Sequence, residues 1–261
     1  MTNGPVLAHL RQLAAREGPI VVAHRGDSRN HPENTLAAFA AAAALPTPVQ
    51  EFDVQVAGDG TLVCMHDHTV DRTTDAATVL GPGMLVASLE ARHLRALDAG
   101  VWKGAAHRGQ RIPSLQQALE VQLPASVPMI EHKGGEARVF VDELRRLDCL
   151  ERVLLQSFDW DFVAAAAKLA PTLATGLLGP TPEHSLVDDG VTAAARAIGA
   201  GFVHWHAPLL SRDQIERAHR HDLLVCTYTS DDELSWQGGR ALGVDAMCTN
   251  DPARMLRALR R

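Results

Sequence analysis

The chain has 261 residues, of which 46% are hydrophobic and 21% charged, enough for a large buried core and one or two domains. Its formal net charge of -6 argues against a nucleic-acid binder that relies on bulk electrostatics. No apolar run reaches the about 20 residues of a membrane span, and no break in composition separates two halves, so a single domain over residues 1–261 is expected.

Residues 1–23 lack the basic start, continuous apolar stretch and cleavage site of a secretory signal. Cys64, Cys149, Cys226 and Cys248 form no Cys-x-x-Cys pair and read as buried reduced thiols, which fits a cytoplasmic protein. The first strand is expected at 20–24, an apolar run ending in His24-Arg25-Gly26. Pro32-Glu33-Asn34-Thr35 then opens an alanine-rich helix near 34–44.

The second strand, 49–56, carries the strongest chemical signal. Glu51, Asp53 and Gln55 alternate with Phe52, Val54 and Val56, so both carboxylates share one face, about 7 Å apart along the strand. Gly58-Asp59-Gly60 supplies a turn, and the third strand at 61–66 returns antiparallel to His66. A turn centred on Asp59 and Gly60 sets Asp53 opposite His66. Carboxylates on one face repel unless a cation or a proton sits between them, and metal-assisted acid–base chemistry is the first reading. The bland alternative is a hairpin whose polar face meets water.

Residues 67–113 are rich in Gly, Pro, Thr and Arg, with one short helical pattern near Ser88 to Leu97, and form an insertion of the length that is usually functional. Strands follow at 127–132, 153–157, 173–178, 202–206, 223–228 and 244–248, each trailed by a helical pattern. Setting aside the antiparallel return leaves eight strand–helix units, the tally of an α/β (β/α)8 TIM barrel. The expected fold is that barrel with an antiparallel hairpin arm after strand 2 and the small insertion. A doubly wound open sheet is the alternative, but no glycine-rich phosphate fingerprint follows the first strand.

In order and spacing, His24-Arg25-Gly26, Pro32-Glu33-Asn34-Thr35, Glu51-Phe52-Asp53-Val54, Asp59-Gly60, His66-Asp67 and Arg72-Thr73-Thr74 resemble the glycerophosphodiester phosphodiesterase family. Ile112-Pro113-Ser114-Leu115, Glu131-His132-Lys133, Gln156-Ser157-Phe158 and Gly243-Val244-Asp245 extend the resemblance from about residue 20 to the C-terminus. It implies the same barrel and a small-molecule glycerophosphodiester substrate. It also implies Glu51, Asp53 and Glu131 as metal ligands and His24 and His66 as catalytic residues. Soluble deacylated substrates are preferred, with no nucleic-acid partner and no stable membrane association; the oligomeric state is not addressed.

Active-site residues of such barrels come from the C-terminal ends of several strands, where His24, Arg25, Glu131 and Lys133 all fall. Oxygen-only ligation suits one hard divalent cation, Mg²⁺ or Ca²⁺, with Mn²⁺ as a further choice. Arg25 and Lys133 would bind the phosphate as fixed cations, and the two histidines would serve as general base and acid in either order. Attack by water, or by the glycerol 2-hydroxyl through a cyclic phosphate, would give sn-glycerol 3-phosphate and an alcohol. Where the family usually has Trp-Thr-Val-Asn, this chain reads Tyr228-Thr229-Ser230-Asp231. Tyr228 and Trp205 are therefore candidate walls of the substrate pocket, and His204 and His206 are weaker metal-ligand candidates.

Overall fold

The computed structural model describes residues 4–259. In chain order it contains helix α1 (Gly4–Glu17), strand β1 (Ile20–His24), α2 (Leu36–Ala43), β2 (Val49–Val56), β3 (Leu62–Cys64), α3 (Ala76–Val79), α4 (Ala91–Leu94) and α5 (Leu115–Gln122). There follow β4 (Val127–Gly134), α6 (Ala137–Arg146), β5 (Leu154–Ser157), α7 (Trp160–Leu169), β6 (Ala174–Gly179), α8 (Asp189–Ile198) and β7 (Phe202–His206). Last come α9 (Arg212–Arg220), β8 (Leu224–Tyr228), α10 (Glu233–Leu242), β9 (Ala246–Thr249) and α11 (Pro252–Leu259). The sheet order is β1-β9-β8-β7-β6-β5-β4-β2-β3, and β1 also pairs with β2. Eight strands therefore close into the expected (β/α)8 barrel, and β3 is the extra antiparallel strand.

The chain divides into two compact units, one of them Ala23–Gly135 and the other the described residues on either side of it. In the first, β2 runs parallel to β4 in a register that sets Asp53 against Glu131. The apolar face of β2 packs Phe52 edge-to-face on Phe39 of α2, with ring centroids 5.4 Å apart and both side chains fully buried. Such a pair adds about 0.5–1.5 kcal/mol beyond its area burial. Thr35 caps α2 by accepting from the Ala38 N–H at 3.4 Å, and Ser114 forms a capping box with Gln117 at the start of α5. The insertion is not slack: Val70, Ala76, Val86, Leu94 and Leu97 are buried in one apolar cluster that also takes in Val63 and Met65.

The hairpin register differs from the expected one by a residue. Val54 pairs with Cys64 and Val56 with Leu62, and the Met65 N–H donates to the Asp53 carbonyl at 3.1 Å, so Asp53 faces Met65 rather than His66. The cause is the turn. Ala57 N–H donates to Thr61 O at 2.8 Å around the three residues Gly58-Asp59-Gly60, with Gly60 left-handed at φ +84°. The ladder ends at Cys64, and the bend after it, not strand alternation, places His66.

In the second unit, β5 to β9 run parallel in continuous register, with His206 opposite Tyr228 and Gly179 opposite Trp205. Helix α1 has no counterpart in the sequence-based assignment; its Val6, Leu7 and Leu10 form the buried stripe. The four cysteines are buried thiols, none in a disulfide. Among the described residues no helix is long and apolar enough to cross a membrane.

Two glycines separate conformational from steric demand. Gly60 (φ +84°) has open space where a Cβ would stand, whereas at Gly26 (φ +81°) a Cβ would lie 2.7 Å from the Ala38 carbonyl oxygen. Gly60→Ala should cost about 1–2 kcal/mol from the left-handed backbone alone. Gly26→Ala should cost about 1–3 kcal/mol more through overpacking. Urea unfolding of the two variants checks the order; equal losses would show that the contact with α2 is not rigid.

Candidate active site

The residues singled out on β1, β2 and β4 converge within the unit Ala23–Gly135. Carboxylate oxygens of Glu51, Asp53 and Glu131 lie within 4.8 Å of one another, and all three residues are buried. Two charges at that separation repel by about 3 kcal/mol even at an effective dielectric constant of 20. Two cations answer them. Arg25 Nε stands 3.1 Å from Asp53 Oδ2, and Lys133 Nζ stands 3.5 Å from Asp53 Oδ1 and in direct contact with Glu131.

The backbone around Arg25 is bent to make this possible. Arg25 and Asn34 both have φ +57°, a left-handed conformation that costs a bulky residue like Arg about 1–2 kcal/mol. Hydrogen bonds hold it: the Arg25 N–H donates to Glu51 O at 2.8 Å, and the Asn34 N–H donates to Arg25 O at 3.2 Å. The Asn34 side chain in turn donates to Asp53 Oδ2 at 2.8 Å and accepts from the Asp53 N–H at 3.2 Å. His24 Nε2 lies 3.9 Å from Glu51 Oε2.

His66 pairs through Nδ1 with Asp67 Oδ1 at 2.6 Å. The Gln55 side chain donates to the carbonyls of Met65, His66 and Asp67, at 3.0, 3.3 and 2.6 Å, and so fixes the bend that carries the histidine. Arg72 bridges Asp67 to Glu33, and Glu33 accepts from Arg25 Nη1 at 2.6 Å. Sequence reasoning gave no role to Gln55, Glu33, Asp67 or Arg72. The shared face of Gln55 with Asp53 and the acidic and basic members of the quoted motifs were the available signals.

Protonation follows from these contacts. Burial, then repulsion from Asp53 and Glu131, pushes Glu51 well above the usual carboxylate range. Burial and Asp53 push Glu131 up to about 7. Burial would raise Asp53 too, but Arg25, Lys133 and His66 outweigh it and hold that residue low. Glu51 Oε1 and Asp53 Oδ1 accept no hydrogen bond among the described residues. Buried carboxylate oxygens without donors are unusual and fit a bound cation. The donor set is all oxygen, which matches a hard divalent ion.

The second unit carries the remaining candidates. Tyr228, half-buried, donates its hydroxyl to Gly179 O at 2.8 Å and meets Phe158, His204 and His206 ring to ring. His204 is buried and pairs with Gln156 at 2.9 Å. Trp205 has no exposed surface; its indole N–H donates to Ser185 O at 3.3 Å and its ring fills the space beside Gly179. Strand alternation puts it on the face of β7 opposite to His204 and His206, so it packs and does not line the aromatic group around Tyr228.

A profile of the Glycerophosphoryl diester phosphodiesterase family matches residues 24–254. The chain belongs to that family. A glycerophosphodiester phosphodiesterase of Caldanaerobacter subterraneus subsp. tengcongensis is 31% identical over 250 residues, covering 93% of this chain and 98% of the relative. One from Bacillus subtilis is 26% identical over 254 residues, covering 89% of this chain and 84% of the relative. A phosphodiesterase from Oleispira antarctica, solved with the product sn-glycerol-3-phosphate, superposes with a TM-score of 0.83 at 27% identity, covering 93% of this chain and 97% of that one. Membership makes the chain an enzyme of the phosphodiesterase class, and the acidic group on β2 and β4 is its candidate metal centre.

The raised carboxylates set a pH dependence of stability in chelator. A Glu with a raised folded pKa stabilises fully below its unfolded value near 4.3, and that contribution is lost as pH rises through the folded value. For Glu131 the window runs from about 4.3 to about 7. Metal-free protein should therefore lose stability between about pH 4.3 and about pH 7, on the order of 1–3 kcal/mol. Glu131→Gln should flatten that slope in thermal melts, and a slope unchanged by the substitution would contradict the assignment.

Proposed function

We propose that this enzyme hydrolyses glycerophosphodiesters to sn-glycerol 3-phosphate and an alcohol, using one divalent cation held by Glu51, Asp53 and Glu131. The observation that carries this reading is the buried carboxylate trio, in which Glu51 Oε1 and Asp53 Oδ1 accept no hydrogen bond among the described residues, flanked by Arg25 and Lys133. The product seen in the Oleispira antarctica relative supports the glycerol phosphate half. When bound, Mg²⁺, Ca²⁺ or Mn²⁺ would supply Lewis-acid stabilisation of charge on the phosphoryl oxygens.

The chain's own groups account for the rest. Arg25 and Lys133 are fixed cations, and charge added to phosphorus as the nucleophile arrives spreads over oxygens they can reach. Their attraction therefore grows toward the transition state, which is what lowers the barrier. The Asp67 carboxylate favours the His66 tautomer with its proton on Nδ1, leaving Nε2 to take or give a proton. His24 is the second proton carrier, beside Glu51. One histidine accepts the proton of the attacking water or glycerol 2-hydroxyl, and the other protonates the departing alcohol. The buried thiols, none in a disulfide, support a reducing, cytoplasmic setting.

Hydrolysis of a panel of glycerophosphodiesters, read by coupled detection of sn-glycerol 3-phosphate, tests the activity. It should vanish in chelator and return with Mg²⁺, Ca²⁺ or Mn²⁺. Asp53→Ala should fold yet bind none of the three ions by calorimetry. Full turnover at nil metal content would remove the cation from the reading. Single replacement of His24 or His66 by Ala should lower turnover on the order of 10²–10⁴-fold. A nitrophenyl ester, whose leaving group needs little protonation, should rescue the variant lacking the acid far more than the variant lacking the base. Near-normal turnover of a glycerophosphodiester by both variants would show that neither histidine carries the proton.

A further inference from the structure

One heavily bonded charged group in this unit, with four hydrogen bonds to carboxylates, is not a proposed catalytic residue. Arg72 lies in the insertion, in the Arg72-Thr73-Thr74 turn, with its side chain 44% exposed. One face of its guanidinium fork takes Asp67, through Nε to Oδ2 at 2.6 Å and Nη2 to Oδ1 at 3.0 Å. Another takes Glu33, through Nη1 to Oε2 at 3.1 Å and Nη2 to Oε1 at 2.8 Å. Two bidentate carboxylate pairs on one guanidinium use nearly all of its donors in their preferred geometry. Both carboxylates respond: the Arg72 hydrogen bonds are the largest influence holding Asp67 low, and they help hold Glu33 low against its burial.

The two carboxylates have different second partners. Asp67 holds His66 Nδ1, and Glu33 holds Arg25 Nη1. A surface ion pair is ordinarily worth little, about 0–1 kcal/mol, and would not justify four aligned hydrogen bonds on stability grounds. Its position offers another account. Without Arg72, Asp67 would be a partly exposed carboxylate on a loop, free to swing away from the imidazole. Glu33 would retain only Arg25, and the insertion would lose its charged tie to the Pro32-Glu33-Asn34-Thr35 turn.

We propose that Arg72 is a positioning residue: a clamp from the insertion that fixes Asp67 on His66 Nδ1 by bracing it against the Arg25-bound Glu33. The inference rests on the functional reading above. Arg72 touches no reacting atom in it. It keeps His66 in one tautomer and one rotamer, and thereby keeps Nε2 ready for proton transfer. Lysine cannot replace it fully, because an ammonium is a point charge without the planar fork that holds both carboxylates.

The test combines kinetics with a readout independent of turnover. Arg72→Met should lower kcat on the order of 10²-fold, while KM for a glycerophosphodiester stays within about threefold. Arg72→Lys should recover part of the loss, and added guanidinium should restore turnover to a smaller Arg72→Ala variant. In a His66→Ala background the same Arg72→Met change should cost less than about threefold, because both act on one proton transfer. Nitrogen NMR shifts of His66 should report the Nδ1-protonated form in the wild type and a tautomer mixture in Arg72→Met. A kcat within about threefold of wild type would overturn the clamp, as would a full loss persisting without His66 or an unchanged His66 tautomer. Absence of glycerophosphodiester turnover in the wild type itself would instead overturn the functional reading, and the NMR comparison would still decide the clamp.

Discussion

Concentrated negative charge out of water is the constraint around which the catalytic unit is built. Glu51, Asp53 and Glu131 are buried together, and Glu33 and Asp67 stand beside them. Among the described residues Arg25, Lys133 and Arg72 pair with four of these carboxylates, while Glu51 has the Arg25 backbone N–H and His24 beside it, so two negative charges are left over when all five are ionised. Two is the charge of one divalent ion. Without such an ion the molecule relieves the excess by protonation, which is why Glu51 and Glu131 are raised while Asp53, between Arg25 and Lys133, stays low. The same electrostatic stress that destabilises the bare fold would, in the proposed reading, prepare it to bind a cation, an exchange of stability for function.

Backbone and hydrogen-bond details around the cluster make sense on these terms. The left-handed conformations at Arg25 and Asn34 would be costly anywhere else. Here they bring one guanidinium and one amide onto Asp53, and the hydrogen bonds of both residues repay the strain. Gln55 extends the polar face of β2 one step further and pins the bend holding His66. In the proposed reading β2 would serve two ends of the reaction, through Glu51 and Asp53 toward a cation and through Gln55 toward the bend that carries His66.

Much of this was legible in the sequence because it depends on local periodicity. Alternation along Glu51 to Val56 gave the polar and apolar faces, and the apolar runs located all nine strands to within about two residues. Three things were not legible. The hairpin register turned on whether Gly58-Asp59-Gly60 makes a two-residue or a three-residue loop, which composition does not decide. Helix α1 has a narrow apolar stripe broken by polar residues, so its helical character comes from tertiary packing of Val6, Leu7 and Leu10. The Arg72 bridge joins positions 39 residues apart across two loops, and no periodicity relates them. Trp205 shows the converse lesson: its place next to two histidines invited a site reading, yet alternation alone assigns it to the opposite face.

The most direct test of the central claim is the position of a bound ion. Crystals grown with Mn²⁺ and measured at its absorption edge should show one anomalous peak per chain, bonded to oxygens of Glu51, Asp53 and Glu131 at about 2.0–2.6 Å. The peak should be absent from Asp53→Ala crystals treated alike. A peak elsewhere, or none at a saturating Mn²⁺ concentration, would contradict the account.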